Sequence, residues 1–172
     1  EPLGSVTIAA GATLTHSGSN RITFKENNLS WDGTYLNTDG RTEIPLTITI
    51  NEGGAYTQTG GQTSVSGNLI VNGDFTDTSN VDGNTFIRSG GTIAVSGTYT
   101  GNIVLDGGVF ASNGLFTRSL GTTASQFRFT GTNGGGLGGF GGTLTVNVGG
   151  ASATLNWDAA NFVQGAGALV FG

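Results

Sequence analysis

The sequence contains no cysteine and no methionine. Without thiols there is no disulfide framework and no thiolate metal site. Proline occurs twice and histidine once. So few prolines, with glycine in no three-residue register, exclude a collagen helix. A lone His16, set between Thr15 and Ser17, lacks the partners of a metal site or catalytic triad and reads as a surface residue. The six basic residues, Arg21, Lys25, Arg41, Arg88, Arg118 and Arg128, are scattered through a chain of net charge −5. Phosphate-driven nucleic-acid binding needs clustered cations, so no nucleic-acid partner is expected. No apolar run approaches the roughly 20 residues of a membrane-spanning helix, so membrane insertion is not expected.

Charged residues make up only 10% of the chain, against about 25% in ordinary soluble domains. Disordered chains combine low hydrophobicity with high net charge; this one pairs low charge with regularly recurring aliphatic and aromatic residues. A cysteine-free, acidic chain rich in Thr, Asn and Gly fits a bacterial protein exported across two membranes. No secretory signal is visible. The opening Glu1-Pro2-Leu3-Gly4-Ser5 differs by one residue from a common tag-protease remnant, so an engineered start is one reading.

What the chain has in excess is glycine, 33 of 172 residues. Helical periodicity is almost missing, and strand signals recur throughout. Leu46-Thr47-Ile48-Thr49-Ile50 alternates most clearly. Val6-Thr7-Ile8, Ile22-Thr23-Phe24, Leu69-Ile70-Val71, Ile103-Val104-Leu105, Phe127-Arg128-Phe129, Ala153–Trp157 and Leu169-Val170-Phe171 are shorter cases. Turn dipeptides separate them, among them Gly53-Gly54, Asn72-Gly73, Gly90-Gly91 and Gly107-Gly108. The fold class is therefore all-β. Two architectures fit: an antiparallel β-sandwich, or a parallel β-helix (β-solenoid) that turns a corner every few residues and stacks on itself.

Internal similarity favours the coil. An apolar-x-apolar triplet, two residues, a glycine corner and a second apolar group recur at Val6–Leu14, Ile48–Tyr56, Leu69–Phe75 and Ile103–Phe110. No such unit buries its apolar side alone, so stacking must make the core. At about 20–25 residues per rung, residues 1–172 form one domain of roughly seven or eight rungs. Ile, Val, Leu and Phe are expected inside, and Thr, Ser and Asn outside.

The last third carries a specific likeness. Gly134–Gly142 leads into Thr143-Leu144-Thr145-Val146-Asn147-Val148-Gly149-Gly150. Ala153-Thr154-Leu155-Asn156-Trp157, Asn161-Phe162-Val163 and Gly167–Gly172 follow. This resembles the passenger-associated transport repeat of bacterial autotransporters, also called the autotransporter-associated β-strand repeat. The resemblance implies a right-handed parallel β-helix, export to the surface of a Gram-negative-type bacterium, and a passenger stalk without catalytic residues. The family pattern usually continues beyond Phe171-Gly172, so a fragment, or a subunit completed by another chain, is expected.

Candidate chemistry is sparse. Asp74, Asp77 and Asp82, with Arg88 nearby, are the best carboxylates for a glycan-cleaving acid/base pair. The same aspartates with Asn80 are the candidate hard-oxygen ligands for calcium, the one cofactor weighed. Solvated turns explain them as well. Trp31 and Tyr35 are candidate sugar-stacking residues for surface glycans. Val6, Ile8, Leu169 and Phe171 lie at the ends of the coil, where unpaired edges recruit other chains, including copies of itself or neighbouring repeats. The expected role is a non-enzymatic structural or adhesive segment. A carbohydrate-binding module and a β-helix polysaccharide-cleaving enzyme are the alternatives.

Overall fold

A computed structural model describes residues 6–25, 29–77, 80–81, 83–96, 99–150 and 153–172. Every regular element among them is a β-strand, and every strand pair is parallel. The chain is a β-solenoid, and the antiparallel sandwich falls away. Strands run β1 (Thr13–His16), β2 (Arg21–Thr23), β3 (Leu29–Trp31), β4 (Thr34–Asn37), β5 (Arg41–Ile44), β6 (Ile48–Ile50), β7 (Ala55–Gln58), β8 (Gln62–Val65) and β9 (Leu69–Val71). They continue as β10 (Asp74–Asp77), β11 (Asn80–Val81), β12 (Thr85–Arg88), β13 (Thr92–Val95), β14 (Ile103–Asp106), β15 (Val109–Arg118), β16 (Phe127–Phe129), β17 (Gly134–Val148) and β18 (Ala168–Phe171). They build three walls: eight strands in the order β1-β4-β7-β10-β13-β15-β17-β18, four in the order β2-β5-β8-β11, and six in the order β3-β6-β9-β12-β14-β16.

The eight strands of the longest wall mark eight successive rungs joined by seven repeats, in line with the seven or eight expected. The length of the repeat changes along the chain. Thr13 pairs with Thr34 and Thr34 with Ala55, a repeat of 21 residues. Ala55 then pairs with Asp74, Asp74 with Thr92, and Thr92 with Val109, so the repeat shrinks to 19, 18 and 17. The lost residues come from the four-stranded wall, which ends at the two-residue β11 and a single bridge from Val81 to Tyr99. The coil then widens: Val109 pairs with Gly136, and Gly134 with Ala168. Here β15 and β17 run past the corner as long strands, with an irregularity between Ser112 and Gly114.

Register stacks like on like. In the eight-stranded wall one inward column runs Leu14, Tyr35, Tyr56, Phe75, Ile93, Phe110, Leu137, Phe171. In the six-stranded wall another runs Ile8, Trp31, Ile50, Val71, Ile87, Leu105, Phe129. These columns are the core. Trp31, Tyr35, Tyr56 and Phe75 form a stack, with successive rings 5.0, 5.4 and 4.7 Å apart and nearly parallel. Outside, Arg21 and Arg41 sit in register, and Glu43 bridges both, at 3.8 and 3.0 Å. A like-charge pair is thus tolerated by a carboxylate between its members.

The corner between the six-stranded and eight-stranded walls has a column of its own. Gly33, Gly54, Gly73, Gly91, Gly108 and Gly135 each stand one residue before an in-register strand position. A Cβ on Gly73 would lie 2.3 Å from the Asn51 and Gly54 carbonyl oxygens, and one on Gly91 would lie 2.2 Å from the Val71 oxygen. Only a hydrogen fits between coils at this corner. It is the corner that the recurring sequence pattern marks.

Candidate functional site at the C-terminal end

The interior wall between β1–β10 and the four-stranded sheet is polar. His16, Asn37, Gln58 and Asp77 follow one another in register and are buried. Tyr35 and Tyr56 reach the same region with their hydroxyls. The Tyr35 hydroxyl lies 3.0 Å from Thr42 Oγ1 and 3.2 Å from His16 Nδ1. The Tyr56 hydroxyl bonds Thr63. Where the four-stranded wall ends, Arg118 closes this region. Its guanidinium donates to the carbonyls of Gly101 (2.8 Å), Gln126 (3.3 Å) and Tyr99, and it lies over the Phe116 ring. His16 is therefore a core residue: a tyrosine and a threonine take up its polarity, and the sequence held no sign of that.

This wall carries a pH dependence. Burial raises the phenol pKa of Tyr35 and Tyr56 above its ordinary value of 10.0, with the nearby charge of Asp77 adding at Tyr56 and the Thr63 hydrogen bond opposing. An unfolded phenol ionises near pH 10 while the folded one stays protonated. The contribution of these tyrosines is therefore constant below about pH 10 and is lost above it, by up to about 1.4 kcal/mol per pH unit for each. Urea unfolding followed at pH values from about 8 to 11 should show this break. Tyr56→Phe should flatten the decline, and an unchanged slope would remove Tyr56 as its cause.

The structure separates the residues singled out from sequence. Trp31 and Tyr35 are 0% exposed. Both faces of Trp31 are occupied within the core, and its Nε1 donates to the Val6 carbonyl at 3.2 Å. Neither ring has a face to offer a sugar, because inward strand positions bury whatever they carry. Asp74 and Asp77 are three apart on β10, so strand alternation sends Asp74 outward and Asp77 inward. They form neither an acid/base pair nor two ligands of one ion. Asp82 and the Asn80 side chain lie outside the described residues. Ile8 is buried and already bridged to Trp31, so the exposed apolar residue at the first coil is Leu14. Val6 and Leu169 are half-buried, and Phe171 is exposed.

Phe171 belongs to an apolar surface near the last strand. β18 pairs only with Gly134–Leu137 of β17. Past Gly139, whose N–H donates to the Gly172 carbonyl, no strand pairs with that edge of β17 among the described residues. A hollow of about 330 Å³ opens there, lined by Leu137, Val146, Leu155, Phe162, Leu169 and Phe171. A second hollow along the same edge shares Leu137, Val146 and Phe171. Leu155 and Phe171 in this lining are exposed, as are Trp157 nearby and Val170 on the outward face of β18. Trp157 packs edge-on to Phe162. The run Ala153–Trp157, expected as a strand, is irregular chain and turn.

Natural sheet edges are usually blunted by Lys, Pro or inward charges. Residues 134–172 contain no proline, and Asp158 is their only charged side chain. Alternation in the sequence located β18 and the second half of β17. Among the described residues no three His, Asp or Glu side chains converge as a metal site. Comparisons with protein-family models, curated proteins and solved structures find no match.

Proposed function

We propose that this chain is a non-enzymatic structural or adhesive segment, a stiff β-solenoid at a bacterial cell surface. The observation that carries this reading is the parallel register that stacks like side chains in columns from coil to coil. The export and surface location rest on composition and on the resemblance of residues 134–172. The stiffness rests on register: each coil is bonded to the next along its length, and the aromatic columns lock the side chains between them.

Electron microscopy of the purified protein at low and high concentration tests this reading. Short stiff rods are expected, and compact round particles would overturn the reading. Polysaccharide turnover by the purified protein, on a panel run in parallel, would replace it.

A further inference from the structure

We infer that Asn113 is a self-modification site: the backbone nitrogen of Gly114 attacks its side-chain amide, and the pair ages to aspartate and isoaspartate. The inference stands apart from the structural reading above. Glycine favours this reaction, because no side chain shields its neighbouring nitrogen and its backbone turns freely. The chain has three Asn-Gly pairs, Asn72-Gly73, Asn113-Gly114 and Asn133-Gly134. As dipeptides they are equivalent; in the fold they are not.

The chemistry is a cyclisation followed by hydrolysis. The Gly114 nitrogen forms a bond to Cγ of Asn113 and gives its proton to solvent. The Cγ–Nδ2 bond breaks, and Nδ2 takes up a proton and leaves as ammonia. Water then opens the five-membered imide. Opening at Cγ gives aspartate in the original backbone. Opening at the other imide carbonyl gives isoaspartate, with the backbone routed through Cβ and Cγ. One water is consumed and one ammonia released. The rate depends on how freely the nitrogen and Cγ reach attacking distance, roughly 3–3.5 Å.

At Asn113 that approach is open. The residue is exposed. Ser112 pairs with Gly139 and Gly114 with Leu144, so the ladder skips Asn113 at the irregularity in β15. Gly114 has φ of +73°, and a Cβ there would meet nothing within 4 Å. β13 pairs with β15 only from Val109 to Ala111, so beyond that point β17 is the one described strand beside it. Among the described residues the Asn113 side chain has one tether, from Nδ2 to the Phe140 carbonyl at 3.2 Å.

The other two pairs are held. The Gly73 N–H donates to the Ile50 carbonyl at 3.2 Å, so attack there breaks a bond between coils. Gly73 also sits in the corner column, where only a hydrogen fits. Asn133 donates Nδ2 to the Asp106 carboxylate at 2.8 Å. That charge opposes the negative charge that builds on the attacked amide. Gly134 is buried, and a Cβ on it would lie 2.0 Å from the Ala168 carbonyl oxygen. Giving up one hydrogen bond to reach the attacking geometry slows the reaction roughly tenfold, or about 1.4 kcal/mol.

Incubation of the whole folded chain in heavy-oxygen water at mildly alkaline pH, followed by peptide mass spectrometry, tests the inference. The isotope marks each side chain converted during the incubation. Asn113 should convert at least about tenfold faster than Asn72 and Asn133. In concentrated urea the three should convert at similar rates. A folded chain in which Asn72 or Asn133 keeps pace with Asn113 would overturn the inference. So would the same lead for Asn113 in urea, because the fold would then not be its cause. Asn113→Gln keeps the amide but requires a six-membered ring, and label should vanish from that peptide. Label that persists there would place the reaction elsewhere and overturn the assignment.

Discussion

Trp31→Ala is expected to lower the free energy of unfolding by about 4 kcal/mol, within the range for deleting a fully buried aromatic. The indole stacks on Tyr35 at 5.0 Å and meets Phe24 edge-on at 5.4 Å. Its Nε1 holds the Val6 carbonyl, and its backbone bridges Ile8. Alanine would leave a cavity between the first two coils, remove the aromatic contacts, and release the chain that covers the first turn. Had Trp31 been a surface platform, the same change would cost within about 0.5 kcal/mol. Trp157, 49% exposed, supplies the contrast, and Trp157→Ala should cost about 1 kcal/mol or less. Urea denaturation of the two variants under one condition decides the matter. Equal losses would mean that the Trp31–Tyr35–Tyr56 stack does not hold the first coils together.

How much of this was legible in the sequence depends on which wall a residue belongs to. The six-stranded wall reads directly: Ile48-Thr49-Ile50, Leu69-Ile70-Val71 and Phe127-Arg128-Phe129 each alternate, and each is a strand. Four of the corners that follow this wall also showed as a recurring pattern. The four-stranded wall read only at its first strand, where Ile22-Thr23-Phe24 alternates. Arg41-Thr42-Glu43-Ile44 and Gln62-Thr63-Ser64-Val65 look like polar loops. They are strands because Thr42 and Thr63 point inward, and the hydroxyls of Tyr35 and Tyr56 satisfy them. A polar residue at an inward position breaks the hydrophobic alternation on which strand reading relies. Its polar inner face also hid the burial of His16, on the facing eight-stranded wall, whose partners Tyr35 and Thr42 lie about one coil away in sequence. Trp31 failed for the opposite reason. Its neighbours Ser30, Asp32 and Gly33 are polar or small, so its inward direction shows only when Leu29 and Trp31 are placed in register with Ile48 and Ile50.

The adjacent glycines Gly53 and Gly54 should respond very differently to the same substitution. Gly53 has φ of +80°, and a Cβ there would meet nothing within 4 Å. Its cost is conformational only, about 1–2 kcal/mol for alanine in the left-handed region. Asparagine tolerates that region, so Gly53→Asn should recover much of the loss. Gly54 has an ordinary φ, but its Cβ would lie 2.5 Å from the Trp31 carbonyl oxygen, which belongs to the coil before. That oxygen accepts the Asn51 N–H at 2.9 Å and cannot retreat without breaking the ladder. Gly54→Ala should therefore cost about 3 kcal/mol, the upper end of ordinary overpacking, and Gly54→Asn should cost at least as much. Chemical denaturation midpoints of the four variants separate the two causes. If asparagine rescued both positions equally, both would be turn glycines, and the spacing between coils would not depend on the corner column. If it rescues Gly53 alone, the column of hydrogens from Gly33 to Gly135 is what lets each parallel strand sit at bonding distance from the last.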